Sequence, residues 1–316
     1  MTMSAVSSTV YDAVERALSE LESEFDVRAV LAVARGSHAW GAASPDSDYD
    51  VGFVFVEADC RRYAHLDGTR ESVVEYATAT VDGHPIDLEF QGWNVTTFAK
   101  LLAASNQGAI DLLRSPIRYR TTYDPDPLAA ELERTFDPMD LYHDWRAIAS
   151  NTYRTYLSDH LVGPDDEVFP IRDRLAKGYL VETDDGTTTI AADDERFTET
   201  ATRQTVKGNL TVFRAAASAR YLKRTGERGD HDLPALEFES FLEEQAPAVF
   251  DADRLECGHR LLERKRRGDG NAVIGDRVGR EFAHPPRLID PAVHARDGPD
   301  RTRLNDVVDA MIDASR

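Results

Sequence analysis

Two short apolar runs with a glycine break between them set the tightest limit on how this chain folds. Residues 27–34 are apolar except for Arg28, and residues 50–56 read DVGFVFV. Runs of this length, bounded by turn residues, are buried strands. Gly36-Ser37 ends the first, and the turn-rich residues 41–47 lead into the second. Residues 72–81 predict a third strand, Asp82-Gly83 a tight turn, and residues 86–90 a fourth strand that pairs back. Ahead of these strands, Val10, Val14, Leu18, Leu21 and Phe25 recur at helical spacing.

After Trp93 the pattern turns helical. Asn94 is placed to cap a helix holding Phe98, Leu101 and Leu102. A short helix over 109–114 stops at Ser115-Pro116, and residues 123–127 (YDPDP) read as a linker. Beyond it the spacing predicts helices over about 139–160, 202–225, 235–244, 252–267 and 303–315, with the acidic, Thr-rich residues 182–195 as a surface loop or short hairpin. The expected fold class is α+β. An N-terminal α/β domain, 1–123, has a mixed sheet and flanking helices, and a mostly helical C-terminal domain covers 124–316.

The formal charge is −20, from 37 Lys and Arg against 57 Asp and Glu. That excludes a coat protein that binds nucleic acid through its whole basic surface. The acids are scattered, which suits a high-salt, halophile-like cytoplasm where repulsion is screened. No apolar run approaches the ~18 residues of a membrane span. The start of the chain lacks the basic and apolar regions of a signal peptide. Cys60 and Cys257 are far apart and form no zinc or redox motif. These features point to a cytoplasmic protein without membrane contact.

The chemistry concentrates at Gly36-Ser37 and, ten residues later, Asp48-Tyr49-Asp50. Alternation along a strand puts both carboxylates on one face. Carboxylate oxygens are the hard ligands that Mg²⁺ prefers. Gly36 lets the backbone approach a ligand, and Ser37 offers a hydroxyl and an N–H to a phosphate. A two-metal phosphoryl-transfer site needs one more acid. Asp87 and Glu89 share a face of the fourth strand. Asp87, between Ile86 and Leu88, is the favoured third carboxylate, with Glu89 its rival. In the helical half, Arg203, Lys207 and Arg214 fall within ~40° of one another on a helix. They form a stripe suited to gripping phosphates. The cluster Arg264-Lys265-Arg266-Arg267 reads as a solvated helix end, with contact to an RNA or DNA backbone as the alternative. Trp40 and Trp93 read as packing residues, His38 as a possible neighbour of a nucleotide, and Arg35 as a phosphate contact or a surface charge.

These residues resemble the DNA polymerase β-type nucleotidyltransferase superfamily. Its pattern is apolar-Gly-Ser, a spacer of this length, Asp-x-Asp, then an apolar-Asp-apolar strand. The chain reads Arg35-Gly36-Ser37-His38-Ala39-Trp40-Gly41 and Pro45-Asp46-Ser47-Asp48-Tyr49-Asp50-Val51. Asp87-Leu88-Glu89, Gly92-Trp93, Lys100-Leu101-Leu102, Ser105-Asn106 and Ser115-Pro116-Ile117 extend the likeness to the nucleotidyltransferases of the RNA-repair-pathway polymerase β family. The Lys207…Arg214…Arg220-Tyr221-Leu222 stretch is similar too. The chain departs at Arg35, where the pattern has an apolar residue, at Asn106-Gln107, where the family has Asn-Pro, and at Asp111-Leu112-Leu113, where it has Glu-Trp-Leu.

The resemblance implies that Asp48, Asp50 and the third carboxylate hold two divalent ions, Mg²⁺ or Mn²⁺. It implies that Gly36 and Ser37 hold a nucleoside triphosphate, and the stripe of Arg203, Lys207 and Arg214 is read from its spacing as a further set of nucleotide contacts. An acceptor hydroxyl would displace pyrophosphate. The acceptor implied is an RNA end in RNA repair, making RNA the candidate partner. The alternatives are a protein- or small-molecule-directed nucleotidyltransferase, and a catalytically silent nucleotide- or RNA-binding module. The oligomeric state and the base preference are open at this level.

Overall fold

A computed structural model describes residues 6–66, 68–183 and 186–316. The first five residues of the supposed leader-free terminus, and Asp184 and Asp185 of the acidic stretch, lie outside them.

Helix α1 (Ser8–Phe25) is capped by Ser7, whose hydroxyl accepts from the Val10 N–H. It buries Val10, Val14, Leu18 and Leu21, the stripe expected from the sequence. Strand β1 (Val27–Ala34) ends at a four-residue turn of helix, α2 (Gly36–Ala39), and β2 (Tyr49–Glu57) follows. The tight turn at Asp82-Gly83 joins β3 (Ser72–Val81) to β4 (His84–Asn94), which is longer at both ends than the apolar core of its sequence. Asn94 caps α3 (Val95–Ala103), its side chain accepting from the Thr96 N–H. Helix α4 (Gln107–Arg114) and the short β5 (Arg118–Thr121) complete this half.

These strands form one mixed sheet in the order β3-β4-β2-β1-β5. β2 and β4 run parallel, and the other pairs are antiparallel. Apolar residues cover both faces. Val51, Phe53 and Phe55 pack with α1, while Val54 and Val56 pack with Phe98, Leu102 and the helices beyond. That double burial explains why β1 and β2 read as unbroken apolar runs.

The C-terminal half opens with α5 (Asp126–Thr135), which starts inside the stretch read as a linker, and α6 (Pro138–Tyr156). Next comes a second sheet, of which the sequence pattern announced only the short hairpin offered for residues 182–195. It consists of β6 (His160–Val162), β7 (Val168–Leu175), β8 (Gly178–Thr183), β9 (Gly186–Ala191) and β10 (Thr198–Thr200), in the order β10-β6-β7-β8-β9. Its core is only Leu161, Ile171, Val181 and Ile190, with Phe169, Tyr179 and Phe197 against them. So few buried residues leave strands too polar to stand out by periodicity.

Helix α7 (Val206–Gly226) is the buried axle of this half and packs against α6. Around it lie α8 (Phe238–Ser240), α9 (Ala252–Arg266), α10 (Arg280–Ala283), α11 (Pro291–His294) and α12 (Arg301–Ala314). One hydrophobic cluster runs from Val30 of β1 through α3 to α7 and on to Met311. Apolar packing therefore continues across residue 124.

Candidate active site

Strand parity decides which side chains meet. Asp50 shares its face of β2 with Val54 and Val56, so it stands at the start of the strand on the side of the C-terminal helices. The parallel register sets Asp50 opposite Glu89, and Tyr49 opposite Leu88. Leu88 and Phe90 pack toward α1, which turns Asp87, Glu89 and Gln91 to the same side as Asp50. Asp48 lies two residues earlier, exposed, on the coil that enters β2.

Glu89, rather than the favoured Asp87, is the carboxylate beside Asp50. Burial first, and the Glu89 charge second, hold the Asp50 carboxyl above the usual carboxylate range. Lys207 and Arg35 oppose the rise, and Asp48 adds to it. Asp87 is exposed and accepts a hydrogen bond from Thr78 Oγ1 at 3.2 Å. The sequence alone could not separate them, because both have the right parity; the inter-strand register sets Glu89, and not Asp87, next to Asp50.

The Gly36-Ser37 turn is built against this pair. The Arg35 N–H donates to the Asp50 carbonyl at 2.7 Å, tying the turn to the strand. Gly36 has φ +55°, and a Cβ on it would sit 1.7 Å from Asp50 Oδ2. Only glycine admits both that backbone and that contact. Ser37 borders a cavity of about 370 Å³ together with Asp48, Asp50, Lys207 and Lys265.

The expected cationic stripe does not form. Thr205 caps α7, so Arg203 lies before the helix, exposed, with its guanidinium 3.5 Å from the Asn271 carbonyl. Arg214 is on the helix but only 3% exposed. Its guanidinium lies between the rings of Trp40 (4.3 Å) and Trp145 (4.7 Å) and donates to Asp111 Oδ2 at 3.0 Å. Lys207 and Arg214 share one side of α7, yet the helix passes from the open cleft into the core between them. Of the three, Lys207 alone borders the cavity.

A second cation joins Lys207 at the cavity. Lys265 comes from the cluster read as a solvated helix end, yet it is 7% exposed. Its ammonium donates to Ser47 Oγ at 2.8 Å, close to Asp48. Burial first, and then the charge of Lys207, lower its pKa. The signal was present: Lys265 follows the buried Leu261 and Leu262 by four and three residues, which puts it on the apolar face of α9. Its neighbour Arg266 bonds the Gly41 carbonyl at 2.6 Å and Glu239 at 2.9 Å, pinning α9 to the glycine turn.

His38 stacks on Tyr49, with ring centroids 4.3 Å apart, and burial lowers its pKa. Arg35 is neither a surface charge nor a solvated one. It donates to Gln91 Oε1 and lies 5.2 Å from the Trp93 ring centre. It lines a second cavity, of about 250 Å³, which shares Gly36, Trp40 and Asp50 with the first. A third, more open hollow is rimmed by Asp48, Glu89, Asp87 and Tyr76.

Among the described residues, no three acidic, histidine or cysteine side chains already converge as a formed metal cage. The donor chemistry nevertheless fits divalent ions. Asp48, Asp50 and Glu89 offer only oxygen donors, and the like charges of Asp50 and Glu89 side by side are what a bound cation would relieve.

A mixed sheet bearing an Asp-x-Asp strand, an acidic parallel neighbour and a Gly-Ser turn defines the polymerase β class of nucleotidyltransferase. The model of the RNA repair pathway DNA polymerase beta family matches residues 10–309, and the chain belongs to that family. It is also similar to the Bacillus subtilis (strain 168) protein named "Uncharacterized protein YcgL", with 28% identity over 169 residues. That match covers 52% of this chain and 60% of the relative, so it spans less than two thirds of that protein. Among solved structures, a nucleotidyltransferase-like protein from Exiguobacterium sibiricum 255-15 aligns over 97% of this chain and 77% of its own. Identity there is 10% and the TM-score 0.29, too low to bear on function.

Proposed function

We propose that this protein is a divalent-metal-dependent nucleotidyltransferase. It moves a nucleotidyl group from a nucleoside triphosphate to an acceptor hydroxyl and releases pyrophosphate. One arrangement carries the reading: Asp50 stands in register with Glu89 and packs on Gly36, at the wall of a cavity that also holds Lys207 and Lys265. Buried strands do not gather carboxylates on one face unless a ligand balances them.

In this reading Asp48, Asp50 and Glu89 hold Mg²⁺ or Mn²⁺, which would supply charge neutralisation at the transferring phosphate. Lys207 and Lys265 neutralise the β- and γ-phosphates, and Ser37 offers them hydrogen-bond donors. Ser47 holds the Lys265 ammonium in place, so little reorganisation accompanies the reaction. Glu89 does not border the lysine-lined cavity but does border the open hollow beside Asp48 and Tyr76. An acceptor entering over that rim delivers its hydroxyl to Glu89, which takes the proton. An open rim suits the end of a polymer, and the family's description supports RNA as that acceptor. The catalytic groups come from residues 1–123, while 124–316 adds the two lysines. A salt-rich cytoplasm completes the proposal and rests on the charge of −20.

The test is incubation of the purified protein with each labelled triphosphate, Mg²⁺ or Mn²⁺, and RNA. Label should pass to RNA, with pyrophosphate released, and the Asp50→Ala variant should lose both. Transfer at an unchanged rate by Asp50→Ala would sink this mechanism.

A further inference from the structure

The reaction as proposed places phosphates in the larger cavity and the acceptor at the open rim. It leaves the cavity of about 250 Å³ beside Arg35 and Gln107 without a role. We propose that this cavity holds the base of the incoming nucleotide and selects adenine and cytosine over uracil. The proposal rests on the nucleotidyltransferase reading.

Position comes first. The cavity meets the lysine-lined one at Gly36, Trp40 and Asp50. A nucleotide whose α-phosphate reaches Asp50 therefore extends its phosphates to one side and its nucleoside to the other. The volume is below the ~300–1,000 Å³ of a site for a drug-sized ligand, and suits a single nucleoside rather than a polymer. Trp40 supplies an aromatic wall, and Arg214 holds its ring at 4.3 Å.

The hydrogen-bond pattern sets the selectivity. Gln107 donates its amide N–H to Asp111 Oδ2, which also accepts from Arg214. Turning this amide over would aim its oxygen at a carboxylate. Gln107 Oε1 is therefore committed as an acceptor, and Asp111 Oδ1 has no partner among the described residues. Gln91 is locked the opposite way. Its Oε1 accepts from Arg35, so its Nε2 is committed as a donor. The wall thus offers a fixed acceptor from Gln107 and a fixed donor from Gln91, with Asp111 adding a further acceptor. Adenine and cytosine each present an amino donor beside a ring-nitrogen acceptor, the complement of that pattern. Uracil carries a carbonyl at the amino position and would face acceptors with an acceptor.

The experiment measures equilibrium binding of ATP, CTP, UTP and inorganic tripolyphosphate, with a divalent ion and no acceptor. ATP and CTP should bind at least about tenfold tighter than UTP. Gln107→Leu should shrink that preference to within about threefold, while tripolyphosphate binds as before. Gln91→Leu should act likewise, and thermal melts establish that each variant is folded. If tripolyphosphate binds but the wild type does not distinguish the bases, or both variants keep the full preference, the base subsite is wrong and the reaction stands. If tripolyphosphate itself does not bind, the reading of the reaction fails and takes this subsite with it.

Discussion

Gly36→Ala is the sharpest perturbation because its structural effect can be sized. The φ of +55° is open to glycine and costs other residues about 1–2 kcal/mol. The new methyl would lie 1.7 Å from Asp50 Oδ2. Reaching van der Waals separation requires relative movement of about 2 Å between turn and carboxylate. A misplacement of 1 Å at a reacting centre costs about 100-fold in rate, so transfer should fall by at least that factor. Stability should fall by about 2–5 kcal/mol, the backbone cost plus the strain of relieving the clash, which is several degrees in Tm for a chain of this size. Pyrophosphate release from labelled triphosphate measures the first effect and a thermal melt the second. A double-mutant cycle isolates the route: if Gly36 acts through Asp50, adding Gly36→Ala to Asp50→Ala should cost little more activity. A Gly36→Ala variant that folds and transfers at the wild-type rate would refute the contact and its role.

The acid assignments separate in a rate assay. Glu89→Gln should lower kcat by about 100-fold or more, and Asp87→Asn by no more than a few-fold; the reverse order would restore Asp87 as the third carboxylate. Lys265→Met should raise the KM for triphosphate about tenfold with a smaller change in kcat, since one phosphate-facing charge is lost. Arg214→Met breaks a buried ion pair and leaves Asp111 uncompensated, so urea unfolding should show a loss of about 3–5 kcal/mol; the double variant Arg214→Met/Asp111→Leu should recover part of it. His231, His284 and His294 all have pKa values lowered, chiefly by burial. The folded chain holds these protons less tightly than the unfolded one, so their contribution is full above about pH 6.5 and is lost as pH falls below it. Tm should drop on going from pH 7 to 5.5, and His294→Asn should flatten that drop.

The order α1-β1-β2-β3-β4-α3 was legible in the sequence because each element obeys its own period and carries its own punctuation. Ser72–Val81 and the Asp82-Gly83 turn needed no tertiary help. The positions Gly36, Asp48 and Asp50 were legible for the same reason, since glycine at a turn and acids at the start of an apolar strand are local anomalies. The small sheet of β6 to β10 was not, because a core of four buried residues imprints almost no pattern on the strands that make it. Arg203 and Arg214 misled because charge spacing is visible in a sequence while depth is not. A helix that starts at Val206 and dives into the core strands one arginine before its cap and buries the other between two tryptophans.

By itself, then, the sequence determined the first four strands, the glycine turn and the two leading carboxylates, since each follows from nearest-neighbour rules along the chain. Three things waited for the tertiary structure: Glu89 in register with Asp50, Lys265 reaching Ser47 from 218 residues away, and the locked amides of Gln91 and Gln107 around one cavity. Each depends on how far apart separate elements come to rest. That distance is set by packing over the whole core, which no local pattern encodes.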